Sequence, residues 1–172
     1  IAAIIQHPKI FETMHHRLGS EPWHAEVSAA AFKLDKRTMI WASARNVTER
    51  KLQEAELLRR ANTDELTGLA NRRCFLSYLS TEFARSQRHR RPLSVLMVDV
   101  DKFKSINDRY GHAVGDAALQ QAAAVWRHAM REEDLIGRVG GEEFAIVLPE
   151  TDGEGAMRLA ERIRVSTAGM CV

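Results

Sequence analysis

The order of apolar patterns after residue 64 limits the possible folds more than any other feature of the sequence. A helix-forming stretch over 71–87 leads to a β-type run over 93–100. A second helical stretch covers 115–130, two short apolar runs cover 135–139 and 144–148, and a last helix covers 153–166. Gly140 and Gly141 separate the two short runs, the spacing of a β-hairpin. Helix, strand, helix, hairpin, helix is an α+β order, and it predicts an incomplete ferredoxin-like sandwich in which the sequence stops one element early.

The region before residue 64 reads differently. Ala25, Val27, Ala29 and Ala31 alternate with polar residues, and a second strand over 39–44 follows the turn Leu34-Asp35-Lys36-Arg37, so a hairpin is predicted over 25–47. From Thr48 strong helix formers take over without Gly or Pro, which predicts a helix over 49–61 with Thr48 as its cap. Leu52, Ala55, Leu58 and Ala61 make a narrow apolar stripe between charges of both signs. Such a stripe suits a short parallel coiled coil between two chains, or a single amphipathic helix lying on its own domain.

Composition narrows the function classes. With 45% hydrophobic and 28% charged residues among 172, the chain is neither disordered nor fibrous. Its apolar runs, 1–5 and 95–98 among them, fall far short of the ~20 residues that span a bilayer, so no membrane contact is expected of this segment. Cys74 and Cys171 are far apart and lack metal-ligand spacing, which predicts a reducing, cytoplasmic setting. Residues 1–48 carry six Lys/Arg against four Asp/Glu, and 64–172 carry fifteen against sixteen. Neither balance suits binding to a nucleic-acid polymer.

Carboxylates gather where chemistry is expected. The strand over 93–100 ends in Val98-Asp99-Val100-Asp101, and the hairpin turns through Gly140-Gly141-Glu142-Glu143-Phe144. Asp99 and Glu142 are thereby placed to share a hard divalent cation. Magnesium takes oxygen ligands, one or two of them carboxylates, together with water and substrate phosphates.

Between these clusters run Phe103-Lys104-Ser105-Ile106-Asn107-Asp108 and Gly111-His112-Ala113-Val114-Gly115-Asp116, and before them Asp64-Glu65-Leu66-Thr67-Gly68-Leu69-Ala70-Asn71-Arg72. Four motifs in this order resemble the GGDEF family, the diguanylate cyclases, with the signature in its Gly-Gly-Glu-Glu-Phe form. The resemblance covers 64–172 and implies the polymerase and nucleotide-cyclase palm. It implies that Asp99, the Val100 carbonyl and Glu142 bind two magnesium ions, that Asn107 and Asp116 recognise the guanine of GTP, and that Lys104 neutralises phosphate charge. Glu142 and Lys104 then count as catalytic, with Glu143 as a candidate for proton removal. Phe103 is expected to pack in the core. Arg131 and Asp134, an Arg-x-x-Asp before the signature, resemble the family's inhibitory site for the product, cyclic di-GMP, with Arg138 in support.

Residues 23–50 resemble the last two strands and exit motif of a PAS sensor domain, with Asn46 where Asp is usual, a change expected to weaken the salt bridge that couples sheet to helix. The expected organisation is therefore a PAS part over 1–48, a signalling helix over 49–63 that pairs two chains, and a cyclase domain over 64–172. The family's further strand and helix would lie beyond Val172, so the segment alone is expected to be weakly active or inactive while the longer protein condenses two GTP. The alternatives are an inactive module that binds GTP or cyclic di-GMP, and a PAS-linked dimerisation module.

Overall fold

The computed structural model describes residues 9–16, 19, 21–34 and 37–168. The chain divides into two compact units, Ile1–Leu58 and Arg59–Val172.

In the first unit β1 (Lys9–His15), β2 (Trp23–Leu34) and β3 (Arg37–Asn46) form an antiparallel sheet in that order. The register of β2 against β3 closes at Leu34 and Arg37, the ends of the turn predicted for the hairpin; Asp35 and Lys36 of that turn lie outside the described residues. The sequence pattern did not predict β1. Its Ile10, Phe11 and Met14 are exposed and do not alternate cleanly, so it lacks the period of two that a half-buried strand writes into its sequence. Ala25 and Val27 of β2 are buried, whereas all ten residues of β3 are exposed.

The helix α1 (Thr48–Asn62) follows, with no buried residue. Thr48 does not serve as the predicted cap. The Asn46 side chain accepts from the Thr48 amide at 2.9 Å, and the Thr48 hydroxyl instead accepts from the His24 amide on β2, also at 2.9 Å. The amide at position 46 thus supplies the capping oxygen an Asp would supply. Arg50 lies 3.7 Å from Glu12 and 3.6 Å from Glu26, and Lys51 also pairs with Glu12, so carboxylates on β1 and β2 hold the first turn of the helix.

The second unit is α+β: a sheet in the order β4-β6-β7-β5 with helices on both faces. Its elements are β4 (Ala70–Asn71), α2 (Arg72–His89), β5 (Leu93–Asp99), α3 (Phe103–Tyr110), α4 (His112–His128), β6 (Leu135–Arg138), β7 (Glu143–Pro149) and α5 (Gly153–Ala168). β7 pairs antiparallel with β5 and β6, and β4 pairs parallel with β6. Six of the seven residues of β7 are buried. Phe144, Ile146 and Leu148 join Leu119, Trp126 and Ile163 of α4 and α5, while Ala145 and Val147 join Phe75 of α2. A strand covered on both faces needs a continuous apolar run, which Phe-Ala-Ile-Val-Leu provides. Trp126 meets the Phe144 ring edge-on at 4.9 Å and donates from Nε1 to Thr167 Oγ1 at 2.7 Å, so its one polar group is satisfied in the core. Phe103 is buried in the same cluster, as the core reading expected.

Two elements escaped the sequence pattern. β4 has only two residues, and α3 spans a stretch read only for its motif; α4 also begins three residues earlier than predicted. Gly111 accounts for the last difference. At φ 86° it ends α3, its amide donating to the Asn107 carbonyl at 2.8 Å, and it starts α4 as well. Few other residues adopt that backbone.

One side chain ties the start of this unit together. Asn71 accepts from the Cys74 amide through Oδ1 at 3.0 Å, capping α2. Its Nδ2 donates to the carbonyls of Ala61 at 2.9 Å and Thr63 at 3.4 Å.

Candidate active site

The antiparallel pairing of β5 and β7 fixes where the acids fall. Asp99 is the last residue of β5 and stands opposite Glu143, the first of β7. One step further, the Val100 amide donates to the Glu142 carbonyl at 3.4 Å. Asp99, Val100, Glu142 and Glu143 are thus gathered at one end of the sheet. Asp99 and Glu143 are exposed and Glu142 is half-buried. Among the described residues none of the three acids has an ion-pair partner, and like charges on opposed strand positions repel unless a cation joins them.

The turn between β6 and β7 is held at three successive carbonyls. Gly141 accepts from Arg138, Glu142 from the Val100 amide, and Glu143 from the amides of Val139 and Gly140 at 2.9 and 3.2 Å. The Glu143 carboxylate lies over Gly140, where an added Cβ would come within 2.3 Å of Oε2. Glycine at 140 is therefore a matter of space for that carboxylate.

The donor set suits magnesium. Asp99 and Glu142 supply carboxylates at the sheet end where the Val100 amide meets the Glu142 carbonyl, and the Val100 carbonyl accepts from the Phe103 amide at 3.2 Å. Among the described residues no three His, Cys, Asp or Glu side chains form a metal cage. A cation bound here takes its remaining ligands from water or substrate, the usual situation for magnesium.

Next to the acids, α3 and α4 pack together and place the remaining predicted residues. Lys104 is exposed in the first turn of α3. Asn107 lies against Gly115: a Cβ on that glycine would stand 1.9 Å from Asn107 Oδ1. This oxygen is buried and accepts no hydrogen bond from the described residues. An orphaned acceptor carries a cost of about 1–3 kcal/mol unless something satisfies it. Asp116, the neighbour of Gly115, is exposed at the same junction.

A second constellation lies elsewhere. Arg131 and Asp134 close a turn, the Arg131 amide donating to Asp134 Oδ2 at 2.9 Å and the Asp134 amide to the Arg131 carbonyl at 3.3 Å. They line a cavity with Thr151, Arg158 and Arg162. The sequence reading missed Arg158 and Arg162; their i, i+4 spacing on α5 was the available signal, but nothing in it pointed to Arg131. Arg138 does not line this cavity. Its Nε and Nη2 donate to the Gly141 carbonyl at 3.0 and 2.7 Å, and its Nη1 to Asp64 Oδ1 at 3.2 Å. Burial raises the Asp64 carboxyl, but hydrogen bonds from Thr67 and Arg138 and the charge of Arg138 outweigh it, leaving Asp64 below the ordinary carboxylate range.

Comparison with known proteins shows the family. A family profile described as "Diguanylate cyclase, GGDEF domain" matches residues 61–170. A protein named "Diguanylate cyclase" from Vibrio cholerae serotype O1 is 47% identical over 109 residues, which is 63% of this chain and 34% of the relative. The solved coiled coil and GGDEF domain of DgcB from Caulobacter crescentus, in complex with c-di-GMP, superposes with a TM-score of 0.67 at 30% identity, covering 72% of this chain and 65% of that one. The active GGEEF domain of a diguanylate cyclase from Vibrio cholerae gives 0.58 at 44% identity, covering 59% and 65%. The chain spans between 24% and 36% of the length of the curated relatives it matches. Among the described residues no helix is long and apolar enough to cross a membrane. With a matched profile over most of its length and its acids in register at the sheet end, the chain belongs to the diguanylate cyclase, GGDEF domain family.

Proposed function

We propose that the protein condenses two GTP into cyclic di-GMP with release of two pyrophosphates, on a palm-type sheet. The observation that carries this reading is the pairing of Asp99 with Glu143 at the sheet end, together with the unsatisfied Asn107 oxygen on α3, the helix that follows β5. Asn107 and Asp116 recognise guanine. The carboxylate accepts from ring and exocyclic N–H groups, and the amide offers both a donor and an acceptor, a pattern that adenine does not match. Lys104 balances triphosphate charge as a compact cation.

Asp99, Glu142 and the Val100 carbonyl would hold two magnesium ions, which would neutralise charge on the phosphates and ease loss of the 3′-hydroxyl proton. In each half-reaction a 3′-oxygen of one GTP bonds to the α-phosphorus of the other, the bond to the bridging oxygen breaks, and pyrophosphate leaves. Glu143 is within reach of the same sheet end and takes up the hydroxyl proton or steadies its acceptor. Two substrates must meet face to face, so two chains are needed; the exposed Leu52, Leu57 and Leu58 of α1 support pairing through that helix. The first unit fits the end of a PAS sensor, and the cavity of Arg131 and Asp134, widened by Arg158 and Arg162, suits the product as a feedback inhibitor.

The test gives the full-length protein carrying these residues GTP and magnesium and measures pyrophosphate and cyclic di-GMP. Full activity in Asp99→Ala or Glu142→Ala would sink the metal assignment. GTP binding without turnover would make the protein a nucleotide-binding signalling module instead.

A further inference from the structure

The Asp64–Arg138 pair holds the signature turn through a carbonyl that no main-chain donor among the described residues reaches. Of the three successive carbonyls at 141–143, those of Glu142 and Glu143 are held by main-chain amides. Gly141 alone depends on a side chain, accepting two convergent N–H groups of Arg138 at 3.0 and 2.7 Å. The peptide plane so fixed is the one that leads into Glu142, and its rotation would re-aim that residue. Asp64 orients the guanidinium in turn, meeting Nη1 with Oδ1 at 3.2 Å and Oδ2 at 3.4 Å. Asp64 is itself fixed, since its Oδ1 accepts from the Thr67 amide at 2.9 Å and hydroxyl at 2.7 Å. Both side chains are mostly shielded, 16% exposed for Arg138 and 24% for Asp64, so solvent competes weakly for the bond between them, while the Gly141 carbonyl they hold lies at the surface.

We infer that Asp64 and Arg138 are positioning residues for the proposed reaction: they set the pose of Glu142 from outside the active site. This rests on the cyclase reading, and it gives Arg138 a different task from binding product. A guanidinium suits the task because it presents a fixed fork, two N–H groups to one carbonyl and a third to a carboxylate; an ammonium is a compact point charge without that planar fork.

The experiment compares Arg138→Gln, Asp64→Asn and the double variant with wild type in the full-length protein. Misplacing a reacting group by an ångström costs about 10²-fold. Arg138→Gln is expected to lower kcat by that order with KM for GTP within about twofold, the split of a group that acts on positioning rather than substrate binding. Asp64→Asn keeps an oxygen for Thr67 and loses the charge, so a smaller fall in the same direction is expected, and the double variant should be no worse than Arg138→Gln. Amide exchange at Val100, Val139 and Gly140 should quicken in Arg138→Gln while the core amides of β7 stay protected. Cyclic di-GMP should bind Arg138→Gln as it binds wild type and fail to bind Arg131→Ala.

Wild-type kcat in Arg138→Gln, unchanged exchange at those three amides, or loss of cyclic di-GMP binding to match Arg131→Ala would each overturn the proposal. If Arg138→Gln does not fold, Asp64→Asn decides by the same kcat and exchange criteria. A wild-type protein that makes no cyclic di-GMP would overturn the cyclase reading, and the exchange measurement would still judge the positioning claim.

Discussion

β7 and the sheet end from which it starts share one stretch of chain but answer to different physics. From Phe144 to Pro149 every residue is buried, and each side chain is chosen by the space left between α2 on one face and α4 and α5 on the other. One residue earlier, Glu143 is exposed and stands opposite Asp99, and neither has an ion-pair partner among the described residues. The buried part is fitted to its neighbours in the same chain, whereas the acidic end has no such fitted neighbours among the described residues. Stability and chemistry are therefore separable along a few residues.

The largest effect should come from the buried side. Phe144→Ala removes the ring that Trp126 meets edge-on and should cost about 3–5 kcal/mol of stability, read as a lowered urea midpoint. At the sheet end, Asp99→Asn should leave that midpoint unchanged and slow cyclic di-GMP formation about 10²-fold or more, because the metal ligation proposed for Asp99 would supply several kcal/mol only in the reaction. A large stability loss in Asp99→Asn would erase the contrast.

Gly115→Ala tests a residue that belongs to both sides. It is buried, yet its missing Cβ makes room for Asn107 Oδ1. Displacing that amide should weaken GTP binding about tenfold, the worth of roughly one hydrogen bond to a buried group, with a modest fall in stability. Titration calorimetry with GTP measures it.

Acid should then loosen the Asp64–Arg138 bridge. The folded Asp64 carboxyl titrates below its ordinary value of 3.8, so its stabilising contribution is present above that value and is lost as pH falls through the lower, folded one. Urea midpoints of wild type and Asp64→Asn should converge as pH drops below 3.8 and stay apart at neutral pH. The smallest effect is expected on the first unit's sheet, where Trp41 is 55% exposed: Trp41→Ser should change the stability of this chain by no more than about 0.5 kcal/mol.

What the sequence revealed follows the same division. β5, β6, β7 and the long helices were legible because burial on one or both faces forces apolar runs or a helical period, and the acids were legible because they interrupt such runs at strand ends. β1 left little trace because exposed strands are free of that constraint. β4 is too short to carry a pattern, and the junction of α3 with α4 turns on the single Gly111. At the second constellation Arg131 and Asp134 could be read from a short motif, but Arg158 and Arg162 reach the same cavity from α5, and only folding reveals that proximity. The Arg138 bond to Gly141 was likewise invisible, since the sequence does not tell which carbonyl a turn leaves without a main-chain donor.

Asn71 carries a consequence of its own. Its oxygen and nitrogen do unlike work, the oxygen taking the Cys74 amide and the nitrogen giving to Ala61 and Thr63. Aspartate has the same shape and is as good a cap for α2, but it has no hydrogens to give and would press a negative charge against two carbonyl oxygens. A change of one atom from nitrogen to oxygen thus keeps the start of α2 and leaves the Ala61 carbonyl at the end of α1 to the Arg73 guanidinium, so position 71 decides whether two side chains of this segment or one fasten α1 to α2.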